Sequence, residues 1–236
     1  MNVPRVLLIV PCYNEQDAIE PLLKDIAACD PSYEVVVIDD GSRDSTYQIA
    51  QQLAPTVRLL RNLGIGGAVQ AGIKYAEKNN FDFCVQIDGD GQHPPHEVKK
   101  LLQAYNDTPC SIIVGSRYIN NDTFRSTWAR RLGSQSIAWA LNTLFPKCHI
   151  SDPTSGMRLM DRHAIKFFAR RYPHDFPEPI SLAWALREDL SVCEVPVKMR
   201  ARAHGQSSIV GLKPLAYVFR VLSYVFLARL MRTGFR

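Results

Sequence analysis

Short apolar runs at residues 6–10, 35–38, 83–87 and 111–115 alternate with stretches of helical spacing along the first half of this chain. Runs this apolar leave no polar face for water, so strands built from them are covered on both sides. Such strands, separated by helices, make a mostly parallel sheet between two helical layers. Sheets of that kind bind ligands outside the carboxyl ends of their strands. The polar residues that follow each apolar run are therefore where chemistry is expected.

Helical spacing fills the gaps between the runs. Asn14 is expected to cap a first helix, with Asp17 three residues on and Ala18, Ile19, Leu22, Leu23 and Ile26 forming its apolar face. Helices follow at 45–53, 67–78 and 97–105, with a short strand at 58–60. The second half is less regular. It offers a helix at 127–144, a strand at 156–160, Asp161 as the cap of another helix, a helix at 181–187 and an alternating strand at 191–199. Pro196 places that last strand at a sheet edge. The expected organisation is an α/β domain over residues 1–210 and an apolar, arginine-bearing helical tail over 211–236.

With 236 residues the chain can bury a core unaided by disulfides. Its six cysteines stand singly with no C-x-x-C pair, which argues against a zinc ribbon and for reduced, buried thiols. The apolar stretch after Arg5 is too short for a signal peptide, so a reducing, cytoplasmic setting is expected. The formal charge of +5 fits acidic partners such as phosphates, nucleotides or anionic lipid. The arginines form no interleaved patch of the kind nucleic acid requires, so none is expected as partner.

The sharpest motif is Asp88-Gly89-Asp90-Gly91-Gln92-His93-Pro94, directly after the run at 83–87. Two carboxylates two residues apart at a strand end project to one side. With glycines allowing a tight turn, they suit a hard cation such as Mg²⁺ or Mn²⁺ that keeps positions open for phosphate oxygens. Asp39-Asp40-Gly41-Ser42 follows the second run, where one acid or Ser42 caps a helix and the other is free for a ribose or base. Pro11-Cys12-Tyr13-Asn14-Glu15 follows the first, with Tyr13 placed to stack on a base and Glu15 to accept from it. Gly64-Ile65-Gly66-Gly67-Ala68 opens a helix that could approach a phosphate, but it matches neither dinucleotide nor Walker patterns.

These motifs resemble the signature set of family 2 glycosyltransferases, nearest the branch of dolichyl-phosphate mannose synthase and bacterial polyprenyl-phosphate sugar transferases. Gly115-Ser116-Arg117-Tyr118, Asp152-Pro153-Thr154-Ser155-Gly156-Met157-Arg158 and Arg202-Ala203-His204-Gly205-Gln206-Ser207 extend the match in order over roughly residues 5–210. The resemblance implies a GT-A fold and an inverting transfer from a nucleotide-diphosphate sugar. It puts Pro11, Tyr13, Glu15 and Asp40 in the nucleotide pocket, Asp39 beside them, and Asp88, Asp90 and Gln92 around a divalent metal and the donor diphosphate. Arg117, Arg131, Arg158 and Arg202 become candidates for an acceptor phosphate, together with Ser207.

A phosphate acceptor is already an anionic nucleophile and needs little from a base. If the acceptor is instead a sugar hydroxyl, Glu178 is the candidate general base and Asp152 its rival. In the tail at 212–231, Arg220 interrupts the apolar run, which argues against a spanning helix. An amphipathic helix lying at a membrane surface fits that pattern, and a packed helix or homodimer interface is the alternative. Two other classes remain beside the glycosyltransferase: a sugar-1-phosphate nucleotidyltransferase, and a non-catalytic membrane-bound partner.

Overall fold

The computed structural model describes residues 4–119, 128–146, 149–200 and 213–230. In chain order the elements are β1 (Val6–Cys12), α1 (Gln16–Cys29), β2 (Glu34–Asp39), α2 (Thr46–Leu53), β3 (Thr56–Arg58), α3 (Gly64–Lys78) and β4 (Phe83–Gln86). A 3₁₀ turn, Pro95–Glu97, leads into α4 (Val98–Asp107), then β5 (Ile112–Ser116), α5 (Trp128–Leu144), β6 (Arg158–Asp161), α6 (Arg162–Arg170), α7 (Pro177–Arg187), β7 (Val192–Pro196) and α8 (Lys213–Leu230).

The strands form one seven-stranded sheet in the order β3-β2-β1-β4-β6-β5-β7. The mostly parallel α/β expectation holds: β6 alone runs against its neighbours, lying antiparallel between β4 and β5. The chain moves outward from β1 to β2 and β3, then returns to pair β4 on the other side of β1. That reversal opens a crevice at the carboxyl ends of β1 and β4, the switch point where such sheets bind ligands.

Alternation along β1 builds two cores. Leu7 and Ile9 pack with Val69, Ile73, Phe168 and Leu182 on one face, and Leu8 and Val10 pack with Ile19, Leu22 and Leu101 on the other. Val221, Val225 and Ala228 of α8 join the first cluster, so the inner face of the tail helix is part of the domain's core. Its outer face keeps Phe219, Phe226 and Leu230 exposed. Among the described residues no helix is long and apolar enough to cross a membrane.

Three local expectations need adjusting. Asn14 does not cap α1: the residue at the cap position is Glu15, and Asn14 takes a left-handed conformation with φ 53°. Its side chain instead accepts the Arg43 amide at 2.9 Å, and its own amide donates to Ser42 Oγ at 3.0 Å. Asparagine tolerates that conformation, so it turns the chain where a cap was expected. Second, α3 starts at Gly64 and not at 67 because Asp40 closes its first turn, and third, α7 starts at Pro177, where proline suits the first helical position. Asp161 caps α6 as expected, accepting the Ala164 amide at 2.8 Å.

Candidate active site

The crevice at the ends of β1 and β4 contains a cavity of about 360 Å³. Pro11, Tyr13, Glu15, Asp40, Asp88 and Asp90, from three separate strand ends, all line it. A larger cavity of about 770 Å³ lies between the ends of α5, α7 and α8, away from these motifs.

The walls of the crevice hold each other in register. The Ile87 amide donates to Ile9 O at 2.9 Å and the Gly89 amide to Pro11 O at 3.1 Å, so the Asp88–Asp90 turn lies directly on the end of β1. Only glycine fits at 89: a Cβ there would come 2.8 Å from Cys12 Cβ and 2.9 Å from Pro11 O. Asp40 takes the amides of Leu63 and Gly64 at 2.7 and 2.8 Å. It thus closes the first turn of α3, and these two amides serve Asp40 and not a phosphate. Burial raises the Asp40 pKa, opposed by the two amide bonds. Asp39 does not line the cavity. It is fully buried behind it, with Oδ1 accepting the Ser42 amide at 3.2 Å and Oδ2 lying 3.3 Å from Arg58 Nε. Burial, with Asp39 the next cause, pushes the Cys12 thiol far up, so it is no nucleophile.

Asp88 is steered from both sides. Gln86 Nε2 donates to its Oδ1 at 2.9 Å, and its own amide donates to His93 Nδ1 at 3.0 Å, which leaves the hydrogen of neutral His93 on Nε2. Asp90 Oδ1 accepts the Gln92 amide at 3.0 Å, closing the turn. Gln92 O accepts from the Arg200 amide at 2.9 Å, and its side chain is half-buried. Among the described residues there is no cluster of three or more His, Cys, Asp or Glu side chains. Asp88 and Asp90 bring two carboxylates to the crevice, with the Asp88 side chain 34% exposed. Hard oxygen donors with room left over fit a divalent cation that completes its shell with water and phosphate oxygens.

Arg117 follows β5 and is gripped by Asp152. Its Nε and an Nη donate to the two Asp152 oxygens, each at 2.7 Å, and its amide donates to the same carboxylate at 3.0 Å. Burial opposes the Arg117 charge, but the Asp152 bonds outweigh it and the pKa is raised. Asp152 is completely buried and engaged on both oxygens, so it is Arg117's partner and not a free base.

Arg158 also departs from expectation. It is 1% exposed, and its guanidinium donates to the carbonyls of Ser155, Glu178 and Pro153 and to Ser181 Oγ. With its donors committed to the interior it is a brace, not an acceptor ligand. Glu178 sits half-buried in the first turn of α7, and burial raises its carboxyl pKa against the opposing charge of Arg158. Arg131 is exposed on α5. Arg202 and Ser207 lie outside the described residues.

The profile of glycosyl transferase family 2 matches residues 7–168. The chain belongs to glycosyl transferase family 2. Its similarity to polyprenol monophosphomannose synthase of Mycolicibacterium smegmatis is 29% identity over 238 residues, covering 97% of this chain and 89% of that one. Dolichol-phosphate mannosyltransferase of Pyrococcus furiosus is 30% identical over 233 residues, covering 93% of this chain and 64% of that one. Among solved structures, glucosyl-3-phosphoglycerate synthase from Mycobacterium tuberculosis, with Mn²⁺, UDP-glucose and phosphoglyceric acid, aligns with a TM-score of 0.72 at 19% identity. That alignment covers 98% of this chain and 82% of the other, and it shows a shared GT-A fold.

One residue of this glycosyltransferase has no signal in the motifs. Glu194, on β7, takes the amides of Ser151 and Asp152 at 2.8 Å each and the Ser151 hydroxyl at 2.5 Å. In the sequence it is one acid in an alternating edge strand, and its partners lie more than 40 residues away.

Proposed function

We propose that this glycosyltransferase moves a sugar from a nucleotide-diphosphate donor to a polyprenyl phosphate, in one inverting displacement at a membrane surface. The observation that carries this reading is the shared crevice: Tyr13, Glu15 and Asp40 line the same cavity as Asp88 and Asp90. Tyr13 and Glu15 suit the nucleoside end of the donor. Asp88 and Asp90 would hold Mg²⁺ or Mn²⁺, with the Gln92 side chain beside them. When bound, the cation supplies charge stabilisation to the departing nucleotide diphosphate.

The acceptor side supports a phosphate nucleophile. Arg117 is fixed by Asp152 with its charge reinforced, and a guanidinium held in this way suits phosphate oxygens. A phosphate oxygen is anionic already, so attack on the anomeric carbon requires no proton removal. Asp152 is engaged and supplies no base. The names of the two curated relatives, one acting as a polyprenol monophosphomannose synthase and one as a dolichol-phosphate mannosyltransferase, support the same acceptor class.

The outer face of α8 supports a membrane setting. At 100° per residue, Phe219, Phe226 and Leu230 fall within about 40° of one another, opposite the buried Val221, Val225 and Ala228. Arg220 and Arg229 stand about 90° to either side of that stripe, placed to reach headgroups while the aromatics enter the apolar boundary. The adjacent α5 exposes Leu132 and Trp139, and neither helix contains an acidic residue. Such a surface suits anionic lipid.

Analysis of the lipid product tests this function. Mass spectrometry should find one hexose added to polyprenyl phosphate, and NMR should find the anomeric configuration inverted relative to the donor. A product with retained configuration, or sugar attached to a hydroxyl, contradicts it; the latter would turn attention to Glu178 as base.

A further inference from the structure

We propose that Glu194 is a positioning residue for the acceptor: it sets where the Arg117 guanidinium presents. This rests on the acceptor role proposed for Arg117. β7 lies beside β5 with Glu194 opposite Val114, three residues before Arg117. From there its carboxylate reaches across to the segment between α5 and β6. Oε2 accepts the Ser151 amide and hydroxyl, and Oε1 accepts the Asp152 amide. Among the described residues the groups that donate hydrogen bonds to it are neutral, so it acts as an anchor for backbone.

What it anchors is the base of the Arg117 clamp. Asp152 hangs from the tethered amide, and its two oxygens meet Arg117 Nε and Nη2. The Ser151 hydroxyl that Glu194 orients also lies 3.0 Å from Ser116 Oγ, beside Arg117 in the chain. Both ends of the Arg117–Asp152 pair are thereby tied to one carboxylate. On the far side of the segment, Arg158 holds the Pro153 and Ser155 carbonyls. A guanidinium clamped at this level is preorganised; if it swings by an ångström, the acceptor loses its contact geometry.

The test is a double-mutant cycle with full-length enzyme. Glu194→Gln should raise the KM for polyprenyl phosphate about tenfold and leave the donor KM within about twofold, consistent with misplacement of one binding group. In an Asp152→Asn background the same change should add less than about a twofold further loss, because Glu194 acts through Asp152. An equal loss in both backgrounds, or a rise confined to the donor KM, would overturn the proposal. A second readout needs no substrate: hydrogen exchange of the Arg117 Nε–H, followed by NMR, should quicken in Glu194→Gln. Unchanged exchange would overturn the coupling. Absence of lipid transfer in the wild type, with quickened exchange in the variant, would overturn the acceptor reading and uphold the coupling.

Discussion

Asp152 holds Arg117 on both carboxylate oxygens at 2.7 Å and receives its backbone amide as well. The pair links the loop before β6 to the end of β5 and leaves the Arg117 side chain 19% exposed. Removing one partner of a buried, hydrogen-bonded ion pair costs about 3–5 kcal/mol. Asp152→Ala should lower the unfolding free energy by about that much in urea titration. Asp152→Asn, which keeps an acceptor and the shape, should cost less and show itself mainly as weaker acceptor binding.

Asp90→Asn should reduce transfer by a factor on the order of 10² or more while the protein stays folded. The amide oxygen can still accept from Gln92, so the turn survives and the charge is what is lost. Circular dichroism and thermal unfolding check the fold, and nucleotide release checks the chemistry. An active Asp90→Asn enzyme would remove the metal assignment.

Gly156 lies against the metal-side carboxylate. A Cβ at 156 would sit 3.0 Å from Asp88 Oδ2 and 3.2 Å from Gln86 Nε2. Gly156→Ala should therefore displace Asp88 and impair turnover much more than stability, read by comparing kcat with the melting temperature.

How much of this was legible in the sequence depends on whether the determinants were local. β1, β2, β4 and β5 announced themselves as apolar runs, and the acids after them landed in one cavity because a parallel sheet brings its carboxyl ends together. Asn14 has the residue type of a cap, but its left-handed turn is set by Arg43 and Ser42, nearly 30 residues away. Arg158 looked like a phosphate ligand in its motif, yet three carbonyls from the 153–155 and 178 segments enclose it. The insertion of β6 between β4 and β5, and the reach of Glu194 to the 151–152 backbone, are tertiary facts with no local pattern to reveal them.

Glu178 predicts a pH effect. Burial raises its pKa in the folded state above the ordinary carboxylate value of 4.5. The folded chain then binds this proton more tightly than the unfolded one, so its contribution is present below that value and is lost as pH rises through the folded pKa. Glu178→Gln should be more stable than wild type near neutral pH and should show a shallower loss of stability above pH 4.5 in denaturation series. A variant with an unchanged pH profile would show that the carboxyl is solvated.

The outward stripe of α8 is separable from its buried face. Phe219 is 73% exposed and Phe226 53%, so Phe219→Glu with Phe226→Glu should leave folding intact. Recovery on vesicles containing anionic lipid should fall by about tenfold or more, as loss of two buried aromatic anchors implies. Undiminished vesicle binding would remove the α8 surface from the account.

The most direct test is release of nucleotide diphosphate by the purified full-length enzyme. A panel of UDP- and GDP-sugars would be supplied with Mg²⁺ or Mn²⁺, with and without polyprenyl phosphate. The account predicts release with one donor class, only when the lipid phosphate and the cation are both present. Release that proceeds equally without the lipid, or with the cation chelated, would contradict it.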